Sequence, residues 1–120
     1  MLQANALVNR RSSHRYTVTL AAEIVVYDGN DDSPCDATLR DLSLGGASVD
    51  FSERLRLGQR VRVSFQLPGH DVRVEADAVV RWASAGQVGL QFASMSPRYT
   101  WSLNRYFAAL DEQPVAAMGG

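Results

Sequence analysis

Residues 41–46, with the sequence Asp-Leu-Ser-Leu-Gly-Gly, concentrate polar and flexible groups between two strand-like runs. The carboxylate of Asp41 and the hydroxyl of Ser43 stand two residues apart, so both can face one polar partner or neighbouring backbone N–H groups. Gly45 and Gly46 permit positive φ and let a partner approach the backbone closely. We interpret this segment as one wall of a nucleotide site. The alternative is a structural turn in which Asp41 and Ser43 only cap neighbouring backbone groups.

A second cluster with binding chemistry lies near the start of the chain, where Arg10, Arg11 and Arg15 precede the first acidic residue, Glu23. A guanidinium can donate paired hydrogen bonds to a guanine edge or to a phosphate. We interpret this basic arm as the other wall of the nucleotide site. A solvated tail is the alternative interpretation.

The remaining reactive side chains do not form a catalytic or metal-binding set in the sequence. His14 and His70 lie far apart and Cys35 is the single cysteine, so no ligand set stands at zinc spacing. Ser43 has no base close in sequence, whereas a nucleophilic serine needs one within hydrogen-bond reach. We therefore expect a non-enzymatic protein without a metal.

Composition limits the partners. The chain is 46% hydrophobic and 21% charged with a net charge of -1, and a general binder of DNA or RNA would be strongly basic. No run approaches the ~18 apolar residues of a membrane span, and the N-terminus lacks the apolar core of a secretory signal. A single cysteine is compatible with a reducing compartment. These features predict a cytoplasmic protein without a nucleic-acid or membrane partner.

The elements that must position these residues are mostly strands. Apolar and polar residues alternate with period two, which is typical of half-buried strands, in six runs: 16–27, 35–40, 47–51, 60–67, 71–82 and 88–92. By this parity Trp82 falls on the inward apolar face, which favours a role in the core or at the barrel mouth. Arg81 falls on the outward face, where we expect cross-strand charge pairing.

The chain ends in a predicted helix. Ser96 can cap it and Pro97 suits its first position, and the apolar residues then recur at helical spacing: Tyr99, Leu103, Tyr106, Phe107 and Leu110. Short strands at this spacing predict a six-stranded antiparallel β-barrel, with the helix covering one side or end. We divide the chain into a flexible arm (1–15), the barrel with its helix (16–111) and a disordered tail (112–120).

Two spaced motifs, Arg11-x-x-x-Arg15 and Asp41-x-Ser43-x-x-Gly46, occur in this order about one hairpin apart. Together they resemble the signature of the PilZ domain family, bacterial receptors for the second messenger cyclic di-GMP. The resemblance covers nearly the whole chain, from the arginine arm through the strands to the helix. It implies a β-barrel that binds this dinucleotide without catalysis.

The resemblance also implies roles for individual residues. Arg11 and Arg15 would bind phosphate or the guanine O6 and N7 atoms. Asp41 would accept hydrogen bonds from the guanine N1–H and 2-amino groups, which adenine lacks, and Ser43 would add a hydroxyl contact. Gly46, next to Gly45 in the same turn, would leave room for the base.

Two further roles concern positions outside the motifs. Arg10 directly precedes the first motif arginine, and in this family an arginine there accompanies a stacked pair of cyclic di-GMP molecules. Trp82 stands just before the last turn, where some family members place an indole against a guanine, in contrast to the core role that its parity favours.

We expect the arm to fold over the barrel mouth when the ligand binds and to present a new surface to a downstream protein. One alternative is an adaptor of the same fold that serves pilus or motility machinery through protein contacts without nucleotide. Another is a small barrel that binds single-stranded nucleic acid, but its sheet face should carry exposed aromatics among basic residues. The outward positions here mix both charge signs.

Overall fold

The computed structural model describes residues 14–27 and 33–112. Arg10, Arg11 and most of the predicted arm and tail lie outside the described residues. The elements, in chain order, are β1 (Tyr16–Val26), β2 (Cys35–Leu42), β3 (Gly46–Asp50), β4 (Arg60–Gln66), β5 (Arg73–Ser84), β6 (Gln87–Met95) and α1 (Pro97–Asp111).

The strands form a closed barrel in the order β1-β2-β3-β6-β5-β4, and every neighbouring pair is antiparallel. The predicted fold, a six-stranded antiparallel barrel with one C-terminal helix, is confirmed. The last strand, β6, lies between β3 and β5, so that Gly46 at the start of β3 stands opposite Gln91. This arrangement brings the 43–46 turn beside the β5–β6 hairpin.

Alternation of side chains fills the barrel. The largest fully buried side chains come from all parts of the wall and from the helix: Phe65, Ile24, Leu39, Leu42, Leu67, Leu103, Val49, Val61, Val63, Val74 and Val80. Each such side chain stabilises the fold by roughly 1.5–3 kcal/mol relative to its exposure to water. The helix contributes Leu103, Tyr106 and Phe107 to the same core cluster, as the predicted stripe required.

The start of α1 differs in detail from the prediction. Ser96 does occupy the N-cap position and Pro97 follows it, but the Ser96 side chain forms no capping hydrogen bond. The Ser96 carbonyl instead accepts hydrogen bonds from the N–H groups of Tyr99 and Thr100, at 2.9 and 3.2 Å.

The described residues include no helix with the length and apolar character that a membrane span requires.

The inward position predicted for Trp82 is wrong. Val74, Ala76, Ala78 and Val80 on β5 are buried in strict alternation, but the register with β6 shifts between Val80 and Trp82. Such a bulge turns the following side chain away from the face that parity assigns to it. The Trp82 side chain is therefore 39% exposed.

Candidate functional site

A cavity of about 310 Å³ opens where the 43–46 turn meets the β5–β6 hairpin. Its volume is at the lower end of the range for small-molecule sites, about 300–1,000 Å³. It is lined by Arg15, Ser43, Gly45, Gly46, Arg81, Trp82, Gly89, Leu90 and Gln91. Five of the residues singled out in the sequence thus share one cavity, although they come from three separate segments of the chain.

A larger cavity, of about 440 Å³, lies between residues 51–55 and the β5–β6 turn. None of the residues singled out in the sequence lines it. Volume alone would favour this second cavity, but the convergence of two arginines and an indole favours the first as the functional site.

The turn before β3 is held by the Ser43 hydroxyl. Its oxygen accepts hydrogen bonds from the N–H groups of Gly45 and Gly46, both at 3.1 Å, and the hydroxyl donates to the Gly46 carbonyl at 3.2 Å. The Ser43 N–H donates to the same carbonyl at 2.9 Å, and the residue is only 6% exposed. Ser43 therefore fixes the shape of this wall of the cavity.

Gly46 is required by the close approach to its backbone that the sequence predicts, and not by a positive φ. Positive φ among the described glycines occurs at Gly58, Gly69 and Gly86, and not at Gly45 or Gly46. A Cβ built on Gly46 would lie 2.1 Å from the carbonyl oxygen of Leu90 on β6. The atom that approaches belongs to the backbone of the neighbouring strand; that this glycine, which lines the cavity, also leaves room for a base stays a prediction.

Asp41 is not among the residues that line the cavity, although Ser48, its partner on β3, also pairs with the lining residue Gly89. It pairs with Thr17 on β1 and with Ser48 on β3. One carboxylate oxygen accepts a hydrogen bond from the Ser48 hydroxyl at 2.8 Å, and the side chain is partly buried. Among the described residues this is the single hydrogen bond to the Asp41 side chain, so the carboxylate keeps capacity for further donors.

Trp82 forms the aromatic wall of the cavity, and its position depends on Gly89. A Cβ at Gly89 would lie 2.0 Å from the Trp82 Nε1 atom, so the indole lies directly over this glycine. The two residues are cross-strand partners in β5 and β6. We did not identify Gly89 from the sequence, although a glycine between Val88 and Leu90 inside a strand is itself a sign of close approach.

We expect Gly89→Ala to displace the Trp82 indole without unfolding the barrel, because the atoms in conflict belong to a side chain that can rotate. Tryptophan emission would report the displacement, with Gly89→Ala compared in a Trp82→Phe background as the control. Unchanged emission in the Trp82-containing protein would show that the indole does not rest on Gly89.

Two polar residues of the cavity, Arg81 and Gln91, are not predicted as site residues by the sequence, which assigns Arg81 to cross-strand charge pairing. The Arg81 Nε–H donates to the side-chain oxygen of Gln91 on β6, whose backbone partner on β5 is Val79. The expected charge pairing of Arg81 therefore takes the form of a bond to an amide, and within the described residues no carboxylate pairs with this guanidinium, which lines the same cavity as Arg15. With both guanidiniums at one cavity, the site attracts anions.

Tyr16, the residue that follows Arg15, anchors this part of the chain to α1. The Tyr16 ring stacks on Phe107 of α1, with centroids 4.4 Å apart and an angle of 6°, and its hydroxyl donates to Asp111 at 2.8 Å. The His14 ring meets Tyr16 edge-on at 4.6 Å. The chain entering β1 is thus anchored to the helix directly next to the residue that lines the cavity.

The clearest pKa shifts lie elsewhere, where β1, β4 and β5 adjoin. The Tyr27 hydroxyl donates to Asp77 at 2.7 Å, which raises the pKa of Tyr27 and lowers the pKa of Asp77. Arg62 adds an ion pair to Asp77 at 3.4 Å. We assign this cluster to strand pairing. In the described part of the chain no group of His, Cys, Asp and Glu could hold a metal ion.

Comparison with known proteins identifies the family. The sequence model described as the PilZ domain matches residues 9–109. A search of curated proteins gives no match.

Solved structures share the fold. The chain is similar to the PilZ domain of CeSA from a cellulose-synthesizing bacterium, at 24% identity and a TM-score of 0.64, over 83% of this chain and 100% of that one. It is similar to the Bacillus subtilis inhibitor of motility MotI/DgrA, at 18% identity and a TM-score of 0.69, over 83% of this chain and 51% of that one. It is also similar to the PilZ domain with c-di-GMP of YcgR from Escherichia coli, at 21% identity and a TM-score of 0.65, over 85% of this chain and 92% of that one. This chain therefore spans about half the length of MotI/DgrA. At these identities the likeness establishes the fold.

Proposed function

The chain belongs to the PilZ domain family, and on this premise we propose that it is a receptor that binds cyclic di-GMP in the cavity between Arg15 and Trp82. The observation that carries the proposal is the convergence of the arm residue, the Ser43-held turn and an exposed indole on one cavity of about 310 Å³. One of the structurally similar proteins, the PilZ domain of YcgR, is described with c-di-GMP.

The cavity suits a guanine dinucleotide with two phosphates. Arg15 and Arg81 can bind phosphate or the guanine O6 and N7 atoms through charge-assisted bonds. The exposed face of Trp82 can stack on a base, a contact that contributes ~1–3 kcal/mol. Asp41, two residues before Ser43, would accept hydrogen bonds from the guanine N1–H and 2-amino groups. Each type of group on the ligand therefore has a complementary group in the protein.

The proposal includes the arm that precedes Arg15. Arg11 shares with Arg15 the spacing of the family motif and would bind the same ligand, while Arg10 would support a second, stacked ligand molecule. Since Tyr16 is anchored on α1, ordering of the arm by the ligand would change the surface next to this helix. We propose that a downstream protein binds this surface.

Binding without catalysis is the role that the turn favours. The Ser43 hydroxyl already donates to the Gly46 carbonyl and accepts hydrogen bonds from the backbone N–H groups of Gly45 and Gly46. A serine engaged in this way supports the wall of a site and is not poised as a nucleophile, which would donate to a general base. We therefore propose a receptor and not a hydrolase of the dinucleotide.

Isothermal titration calorimetry with cyclic di-GMP tests the receptor function. We expect saturable binding, and at least about tenfold weaker binding of cyclic di-AMP, because adenine lacks the paired donors that Asp41 would accept. A ratio of two ligands to one chain would support the stacked pair. Absence of binding, or equal affinity for both dinucleotides, would overturn the proposal and favour the adaptor that acts through protein contacts alone.

A further inference from the structure

The outer face of α1 carries an aromatic residue that the core does not need. The side chains of Ser102, Leu103, Tyr106 and Phe107 pack inward, whereas Trp101 is 61% exposed. Arg98 and Arg105 are also exposed, and their spacing from Trp101 places all three on one stripe of the helix. We refer to Arg98, Trp101 and Arg105 as the Trp101 surface.

The cations of this surface are ordered but not neutralised. The Arg105 guanidinium lies 4.9 Å from the centre of the Trp101 ring, and that of Arg98 lies 5.8 Å from the Tyr99 ring. Elsewhere Arg40, Arg62 and Arg73 each pair with a carboxylate. Within residues 14–27 and 33–112, neither Arg98 nor Arg105 forms an ion pair. Stacking holds their donors in place, which lowers the entropic cost of binding a carboxylate.

A groove beside the indole completes the surface. This cavity, of about 340 Å³, separates α1 from the chain leading into β5, and it is lined by His70, Asp71, Val72, Arg98, Trp101 and Ser102. Asp71 is the one acidic residue of this lining, so the groove and the adjoining Arg105 together keep a positive charge. The whole chain, in contrast, carries a net charge of -1.

We propose that the Trp101 surface docks an acidic segment of a partner protein, with an apolar residue against the indole and carboxylates on Arg98 and Arg105. Tryptophan and arginine are the residues most enriched among those that dominate binding energy at protein interfaces. The proposal deepens the signalling role proposed above, since it gives the partner a site on the helix to which Tyr16 is anchored, and it therefore rests on that role. Its test requires no nucleotide.

The spacing of the two arginines defines what the partner must carry. Seven residues along a helix correspond to about 10 Å. A segment in the extended polyproline II conformation has three residues per turn and rises ~3.1 Å per residue, so side chains three positions apart share a face and lie about 9 Å apart. A segment with acidic residues at the first and fourth positions and apolar residues between them would therefore reach both guanidiniums and the indole.

Fluorescence of Trp101 tests the docking. In a Trp82→Phe background, we expect a synthetic peptide with a Glu-Leu-Leu-Glu core to change Trp101 emission saturably. Peptides with a Glu-Glu-Leu-Leu or a Lys-Leu-Leu-Lys core should bind at least about tenfold more weakly, because their charges do not reach both arginines or have the wrong sign. No response to the first peptide, or equal responses to all, would overturn the proposal.

Variants separate this surface from general charge attraction. The double change Arg98→Ala and Arg105→Ala should weaken peptide binding at least about tenfold, whereas Arg56→Ala, an exposed arginine elsewhere, should have no effect. An equal loss in Arg56→Ala would contradict the proposal. So would a shift of Trp101 emission by phosphatidylglycerol vesicles without a response to the peptide, which would indicate a lipid surface.

The two proposals can fail separately. The double variant should bind cyclic di-GMP as the unchanged chain does, since both arginines lie outside the nucleotide cavity. Peptide docking without any nucleotide binding would overturn the receptor function and leave the docking surface. Nucleotide binding without peptide docking would overturn the docking surface and leave the receptor function.

Discussion

Arg15→Ala is expected to weaken cyclic di-GMP binding at least about tenfold while the barrel remains folded. The Arg15 side chain lines the cavity, and its charge-assisted bonds to phosphate or guanine would contribute ~1–3 kcal/mol, where 1.4 kcal/mol corresponds to tenfold in affinity. The residue precedes β1 and is exposed, so its loss removes no core contact. Calorimetry gives the affinity, and thermal unfolding shows whether the barrel is intact.

Two further variants make this result specific. Arg56→Ala removes the same charge from an exposed position outside the cavity and should bind as the unchanged chain does. Arg15→Lys keeps the charge but loses the planar fork, so we expect an intermediate affinity. Full affinity in Arg15→Ala would refute the assigned site, even if the chain binds the dinucleotide.

Comparison of the unchanged chain with Arg15→Ala also tests the proposed ordering of the arm. Fixing half a dozen backbone residues costs on the order of 10 kcal/mol, which several arginine contacts would have to offset. Ligand should therefore slow amide exchange in residues 8–15 of the unchanged chain, and much less in Arg15→Ala. Identical exchange with and without ligand in the unchanged chain would exclude arm ordering as the signal.

Gly46→Ala is expected to have the largest effect on stability of any single methyl addition in the site. The new Cβ would lie 2.1 Å from the Leu90 carbonyl oxygen, a backbone atom that cannot rotate away. β3 and β6 would have to separate where Gly46 opposes Gln91, and overpacking of this kind costs roughly 1–3 kcal/mol or more. Chemical denaturation would measure the loss of unfolding free energy.

Gly89→Ala is the matched control, because it also adds one methyl group to a strand at the same cavity. Its conflict is with the Trp82 indole, which can move, so the free energy of unfolding should fall less than in Gly46→Ala. Nucleotide binding should weaken in both variants, through the displaced turn in one and the displaced indole in the other. Equal stability of Gly46→Ala and the unchanged chain would show that the two strands do not need this close approach.

Much of the fold follows from local sequence pattern. Alternation predicted the strands because residues two apart on a strand share a face, and the inward series on β5 from Val74 to Val80 is buried as expected. The helix followed from Pro97 and the apolar stripe that ends in the core. The arginine and Asp-x-Ser-x-x-Gly motifs indicated the family, and the match over residues 9–109 confirms it.

Parity failed where the ladder is irregular. A one-residue shift between Val80 and Trp82 turns the indole from the core to the cavity, and no feature of the alternating pattern predicts such a bulge. The sequence predicts a close approach to the backbone at Gly46, but not the atom that makes it. That atom, the Leu90 carbonyl oxygen, lies far along the chain.

The sequence by itself determined which segments are strands, which faces are apolar and which family signature the chain carries, because these depend on neighbours along the chain. The tertiary structure alone decided that β6 lies between β3 and β5. That pairing joins residues more than forty positions apart, such as Gly46 and Gln91, and brings Arg81, Gly89 and Gln91 to the cavity. Contacts across the barrel depend on how the sheet closes, which no local pattern specifies.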